Sequence, residues 1–383
     1  MKIAIMAPLV TAIREPQLGG SQAFVSDLAR GLADRGHEVH VYAASGSKIP
    51  GVMVVDTGAD PRALAGILYR AVVPAGTGSA GTATALESSA SGTVEAARAS
   101  AEAAFAGAYA SMRDVSYDVI HNHAFDAPAV RLATSVSAPV LHTLHLPPDE
   151  AVTAALDLAA HSARPPVVAT VSNFQAAAWR RVVRIDEVLP PYVPTHVIPY
   201  SAMAGHGAVF AGRLSPEKGA AESVDIASAA GLSIDVYGDA YDEGYARDRI
   251  APRQARLGVR IHPAISRPSV WQAMANAAVV LSPAQWDEPF GMAAAEAQAC
   301  GTPVVAFRRG GLSEVIEDGI TGFLVPPGDL QAAVGAVRRT AAISRAACRS
   351  HAERHLNLNQ SLDEHERVYH QMTATNAAGA GNG

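Results

Sequence analysis

The chain has 383 residues, more than one core usually holds, and its 49% hydrophobic and 17% charged content describes a folded protein with two cores. A net charge of −6 argues against a nucleic-acid binder, and two cysteines, Cys300 and Cys348, are too few for a disulfide scaffold or a zinc spacing and fit a cytoplasmic protein. Residues 1–8 are apolar over too short a run for a signal peptide or a membrane span, and read as a buried first strand.

In chain order, residues 2–7 predict a strand, Gly19-Gly20 follows a loop, and Phe24, Val25, Leu28 and Leu32 fall at helical spacing up to the stop at Gly36. Further strands are predicted over 38–43, 51–56, 117–121, 138–143, 166–172 and 194–199. Residues 74–92 are almost entirely Ala, Gly, Ser and Thr and predict a mobile loop, and helical character returns over 93–112. A second alternating series begins near 207, with strands over 208–211, 233–237, 259–262, 278–282, 303–306 and 322–325. Strand–helix alternation implies parallel sheets covered on both faces, so the fold class is α/β, two doubly wound Rossmann-like domains (1–200 and 207–355) facing across a cleft. A last helix over 361–372 packs back on the first domain, and 373–383 is a frayed tail.

The chemistry concentrates at strand ends. Gly212-Arg213-Leu214-Ser215-Pro216-Glu217-Lys218-Gly219 follows a predicted strand and places a planar fork and a point charge within one turn, as a diphosphate clamp requires. The same two cations are otherwise surface charges in a turn. Gly19-Gly20 allows backbone amides to approach a phosphate at a helix start, but the three-glycine dinucleotide turn is missing, which argues against an NAD or FAD enzyme. His121 and His123 point to one side of their strand and Asn122 to the other; metal binding there is disfavoured by the lack of a nearby carboxylate pair or cysteines, and His142 and His145, which could line the same crevice, read better as satisfied core histidines. Glu288 and Glu296 stand eight positions apart, which on a continuous helix puts them two turns apart on nearly one face. An ordinary solvated helix gives the same spacing.

Gly19-Gly20, Asp118-Val119-Ile120-His121-Asn122-His123, Val171-Ser172-Asn173, Gly212-Arg213 with Lys218-Gly219, and Glu288-Pro289-Phe290-Gly291 through Glu296-Ala297 together resemble the retaining GT-B glycosyltransferases of family 4. The Pro303-Val304-Val305-Ala306, Gly310-Gly311-Leu312-Ser313-Glu314 and Gly322-Phe323-Leu324-Val325 segments belong to the same pattern. The resemblance covers the second domain almost throughout and the first at its landmarks. It implies that Arg213 and Lys218 hold a donor diphosphate, Glu288 the donor sugar and Glu296 the ribose. It further implies that backbone groups of Phe290, Gly291 and Met292 face sugar and phosphate, and that His123 sits by the reacting carbon. The resemblance implies too that Gly19 and Gly20 meet the diphosphate across the cleft, with Gly212 and Gly238 on the nucleotide side. The junction departs from the family's pattern, since Ile198-Pro199 is followed by Tyr200-Ser201.

The implied function is transfer of a sugar from a nucleoside-diphosphate sugar, a UDP-sugar among the candidates, to a hydroxyl of a small soluble acceptor. The nucleotide sugar is a substrate, and no cofactor or metal is implied. Alternatives are a lipid or polysaccharide glycosyltransferase touching a membrane through Trp179-Arg180-Arg181-Val182-Val183-Arg184, an epimerase or phosphorylase of the same fold, and a non-catalytic nucleotide-sugar binding module. Donor base, acceptor and oligomeric state are not encoded in these motifs.

Overall fold

The computed structural model describes residues 1–64, 87–203 and 205–380. The first sheet comprises β1 (Lys2–Met6), β2 (Glu38–Ala43), β3 (Met53–Asp56), β4 (Val119–Asn122), β5 (Val140–Leu144), β6 (Val167–Thr170) and β7 (Glu187–Val188), in the order β3-β2-β1-β4-β5-β6-β7, all parallel. The second comprises β8 (Ala208–Ala211), β9 (Ile234–Tyr237), β10 (Val259–His262), β11 (Val279–Ser282), β12 (Val304–Phe307) and β13 (Gly322–Val325), in the order β10-β9-β8-β11-β12-β13, again parallel. The strand order reverses between β1 and β4 and between β8 and β11, and crevices open at such switch points.

Both faces of each sheet are covered, which explains strands that are apolar without alternation. On β1, Ile3 and Ile5 pack with Phe24, Val25, Leu28 and Leu32 of helix Gly20–Asp34, and Ala4 and Met6 pack with Phe105 and Tyr109 of helix Glu87–Arg113. The chain then recrosses at its end. Val193 bridges Asn357, and helix Leu358–Ala380 lies on helix Gly20–Asp34, with Leu362 so close that a Cβ on Gly31 would meet its Cδ1 at 2.6 Å. Arg35 pairs with Asp363 at 2.7 Å and Glu366 at 2.6 Å on the same contact.

Three sequence expectations differ from the structure. Residues 194–199 are a turn and not a strand, because Pro194 and Pro199 bring no N–H to a ladder and the carbonyls of Thr195 and Ile198 accept instead from Arg349, at 2.8 and 2.9 Å. The tail expected to fray from Thr373 stays helical to Ala380, since no glycine interrupts its Ala, Thr and Asn before Gly379 and Thr375 Oγ1 donates to Gln371 O at 2.9 Å. Of the expected loop 74–92, residues 74–86 lie outside the described residues and 87–92 belong to helix Glu87–Arg113.

The departure from the family's junction pattern has its counterpart in two arginines of helix Arg345–His355. Arg345 Nε donates to Ser201 O at 2.7 Å and its other nitrogens reach the carbonyls of Ala275 and Ala277, while Tyr200 packs over Gly301, where a Cβ would lie 2.7 Å from the ring. On the far side of the interface, Glu314 accepts from the backbone N–H groups of Asn173 and Phe174 at 2.9 and 2.7 Å.

Candidate active site

The loop after β8 is shaped by its glycines. Gly219 has φ +76, and a Cβ there would sit 2.1 Å from Pro283 O, so the loop folds hard against the end of β11. A Cβ on Gly238 would lie 1.9 Å from Gly212 O, so the chain turns after β8 and β9 touch backbone to backbone. Lys218 is thereby directed at Glu288, Nζ to Oε1 at 2.5 Å, and also lies 5.0 Å from the Trp286 ring centroid. Arg213 lies over the Tyr241 ring at 4.2 Å and reaches Glu217 Oε1 at 3.2 Å, and its buried Nε has no hydrogen-bond partner among the described residues.

Glu288 and Glu296 do not share a helical face. The helix is Met292–Ala299, and the chain before it bends at Pro289 and Phe290 and is not helical, because Pro289 disfavours helical backbone at Glu288 and Gly291 adopts φ +115. Glu288 is instead fixed through its main chain. Its carbonyl accepts from Gly311 N at 2.7 Å, and a Cβ on Gly310 would lie 2.1 Å from that carbonyl oxygen. Glu296 is buried on the helix, where Arg267 donates to its Oε1 through Nη2 at 2.7 Å and Nε at 2.9 Å. Phe290 is 5% exposed and packs near Tyr192, so only its backbone is free to meet a ligand.

Across the cleft, Gly19 is the extended N-cap of helix Gly20–Asp34 and offers no side-chain cap, which leaves first-turn N–H groups available. A Cβ on Gly20 would meet Met292 Cγ at 3.0 Å, so the first residues of two helices, one from each domain, touch. Two positive helix ends converge there, an arrangement that favours an anion.

His123 follows β4 and is fully buried. Its Nδ1 shares a hydrogen bond with His145 Nε2 at 2.8 Å, its ring lies 3.9 Å from that of His121, and its Nε2 has no partner among the described residues. His121 is closed off by Tyr369 and Thr143, both at 2.7 Å, and Asn122 Nδ2 donates to His142 Nδ1 at 2.7 Å. Burial drives the pKa of His121 and His123 well below the ordinary histidine value, with the neighbouring histidines adding to the effect, and holds His142 and His145 at about 3. The cluster is therefore neutral at physiological pH. Among the described residues no group of three or more His, Cys, Asp or Glu side chains is placed to hold a metal ion, and no helix is long and apolar enough to cross a membrane.

The structure thus joins Lys218 to Glu288 and Gly20 to Met292, and leaves Arg213, Glu296 and His123 with separate partners. Sequence reasoning missed Arg267 and Asp27, which meet at 2.8 Å across 240 residues of chain. One signal was present: Asp27 interrupts the buried apolar stripe of its helix and remains buried itself.

Two doubly wound domains that face each other over a cation-lined loop, with paired helix N-termini at the cleft, have the GT-B fold. Residues 206–354 match the family described as glycosyl transferases group 1, and residues 19–189 match the glycosyl transferase 4-like domain. A D-inositol 3-phosphate glycosyltransferase of Mycolicibacterium paratuberculosis is 30% identical over 401 aligned positions, covering 90% of this chain and 85% of that protein. The enzyme of the same name from an Arthrobacter species is 53% identical over 64 residues, only 17% of this chain and 15% of that one. The fold is shared with sucrose-phosphate synthase from Thermosynechococcus elongatus, at TM-score 0.77 and 18% identity over 98% of this chain and 100% of that one. It is shared too with Anabaena Alr3699/HepE in complex with UDP-glucose, at TM-score 0.72 and 18% identity over 97% and 100% of the two chains. The chain belongs to glycosyltransferase family 4, the glycosyl transferases group 1.

Proposed function

We propose that the protein transfers a sugar, with retention of anomeric configuration, from a nucleoside-diphosphate sugar to a hydroxyl of a small polar acceptor. The observation that carries this is the Lys218–Glu288 pair at 2.5 Å, with Lys218 on a loop that also carries Arg213. In the unliganded protein each charge answers the other. A donor divides them, its diphosphate taking Lys218 and Arg213 and its sugar hydroxyls taking Glu288. As the bond from the anomeric carbon to the diphosphate oxygen breaks, negative charge grows on that oxygen, and preorganised cations and the two helix ends stabilise it. The acceptor oxygen bonds to the anomeric carbon from the face the diphosphate leaves, and the acceptor proton passes to the departing diphosphate oxygen. Glu296 holds the ribose, and His123, neutral and with Nε2 unpartnered among the described residues, meets the sugar near the reacting carbon.

Support for a small acceptor comes from the relatives, named for D-inositol 3-phosphate, whose similarity runs through both domains. Incubation of UDP-, GDP- and ADP-glucose and UDP-N-acetylglucosamine with D-inositol 3-phosphate and a panel of other polyols, with mass detection, tests the assignment. One donor is expected to give a glycosylated small polyol, and donor consumption with lipid acceptors alone overturns it.

A further inference from the structure

One buried charge cluster lies outside the diphosphate clamp. Arg267 opens helix Arg267–Asn276 after β10, and its side chain is 11% exposed. Two of its nitrogens hold Glu296 Oε1, while Nη1 donates to Asp27 Oδ2 at 2.8 Å. Asp27, its side chain 7% exposed, belongs to helix Gly20–Asp34 of the first domain. The main-chain N–H of Arg267 donates to Glu15 Oε2 at 2.9 Å. One arginine therefore carries carboxylates from both sides of the cleft.

Two buried carboxyl side chains meet on this one guanidinium. Burial raises the pKa of Asp27, with Arg267 opposing, and the two carboxylates raise that of Arg267 in spite of its burial. A buried ion pair is weak grounds for stability, since apolar residues of similar shape replace it without loss. What it fixes is geometry. The guanidinium fork takes only Oε1 of Glu296, and among the described residues no hydrogen bond reaches Oε2.

We propose that Arg267 and Asp27 are positioning residues of the donor site: Arg267 pins Glu296 Oε1 so that Oε2 faces the ribose hydroxyls, and Asp27 makes that presentation conditional on the first domain being closed against the second. The ribose subsite is then completed from the acceptor domain by a residue that never touches the nucleotide. This rests on Glu296 as the ribose ligand. A purely structural tether would hold the domains together without acting through Glu296, and a double-mutant cycle separates the two.

The test titrates UDP, GDP and ADP in turn by calorimetry against the full chain and against Asp27→Asn, Glu296→Gln and the double variant. In parallel, the distance between spin labels at Leu158→Cys and Leu257→Cys is measured, both positions being exposed while Cys300 and Cys348 are buried. For the nucleotide that binds best, Asp27→Asn is expected to weaken affinity about fivefold or more and to broaden the interdomain distance. Adding Asp27→Asn to Glu296→Gln is expected to broaden the distance without further loss of affinity. Unchanged affinity in Asp27→Asn, or additive losses in the double variant, overturns the proposal. An unaltered affinity in Glu296→Gln, or no binding of any of the three by the unmodified protein, overturns the ribose assignment instead. If Asp27→Asn does not fold, Asp27→Glu, which keeps the charge and lengthens the arm, replaces it with the same two outcomes.

Discussion

At Lys218 the protein holds an ammonium against a carboxylate at 2.5 Å, both side chains largely screened from water. A group placed for charge that appears only as the leaving group departs acts on turnover more than on binding. Lys218→Ala is therefore expected to lower kcat by about a hundredfold or more, the loss of one preorganised donor costing about 2.7–4 kcal/mol in the barrier. Turnover near that of the unmodified enzyme at saturating donor would count against the clamp. Glu296→Ala is expected to behave differently, raising the donor dissociation constant with a smaller change in kcat, because a ribose contact differs little between ground and transition state. Equilibrium binding beside steady-state kinetics separates the two. Lys218 was legible as a site candidate because Gly219 stands beside it, and Glu288 because it heads the local Glu288-Pro289-Phe290-Gly291 block. Asp27 and Arg267 were not, since their meeting across 240 residues depends on how two finished domains face each other, and no local pattern records that.

Elements place these side chains through backbone contacts that glycine alone permits. Gly310 has φ +56 and its missing Cβ would lie 2.1 Å from Glu288 O, so Gly310→Ala is expected to shift Glu288 off Lys218. Left-handed backbone in a residue with a Cβ adds about 1–2 kcal/mol of strain. Calorimetry should show a lower Tm together with lost activity. Gly335 is a useful contrast. It lies exposed within helix Leu330–Arg339 with nothing within 4 Å of a Cβ, so Gly335→Ala is expected to add about 0.8–1 kcal/mol of stability and leave kinetics unchanged. Strands were readable from short apolar runs, but the helix carrying Glu296 was misjudged at its start. Eight-residue spacing assumes helix throughout, and Pro289 with Gly291 stop it short of Glu288.

On the scale of the whole molecule, the first domain encloses neutral histidines, with His142 and His145 held at about 3 and His365 at about 4 by burial. The sign follows from proton binding. Below about pH 6.5 the unfolded chain takes up protons that these folded histidines refuse, so stability is full above that pH and is lost as the pH falls toward the folded values. Each contributes a loss of about 1 kcal/mol between pH 7 and pH 5.5. Asp126, which burial pushes up to about 6, works in the opposite direction by protonating first in the folded state. Since His121, His123, His142, His145 and His365 outnumber the raised carboxyls of Asp27 and Asp126, Tm is expected to be clearly lower at pH 5.5 than at pH 7, and a flat profile would contradict the neutral cluster. Two-domain architecture was visible in the sequence from the repeated alternation alone. The return of helix Leu358–Ala380 to the first domain is where chain order and spatial order part, and it closes the His121 pocket through Tyr369.

We propose retaining transfer from a donor whose diphosphate lies on Arg213 and Lys218 and whose sugar lies on Glu288. Proton NMR of the anomeric centre in the product formed from an α-linked glucose donor tests it most directly. An α-glycoside, formed by the unmodified enzyme and diminished about a hundredfold in rate by Lys218→Ala, is the predicted result. A β-glycoside would contradict it.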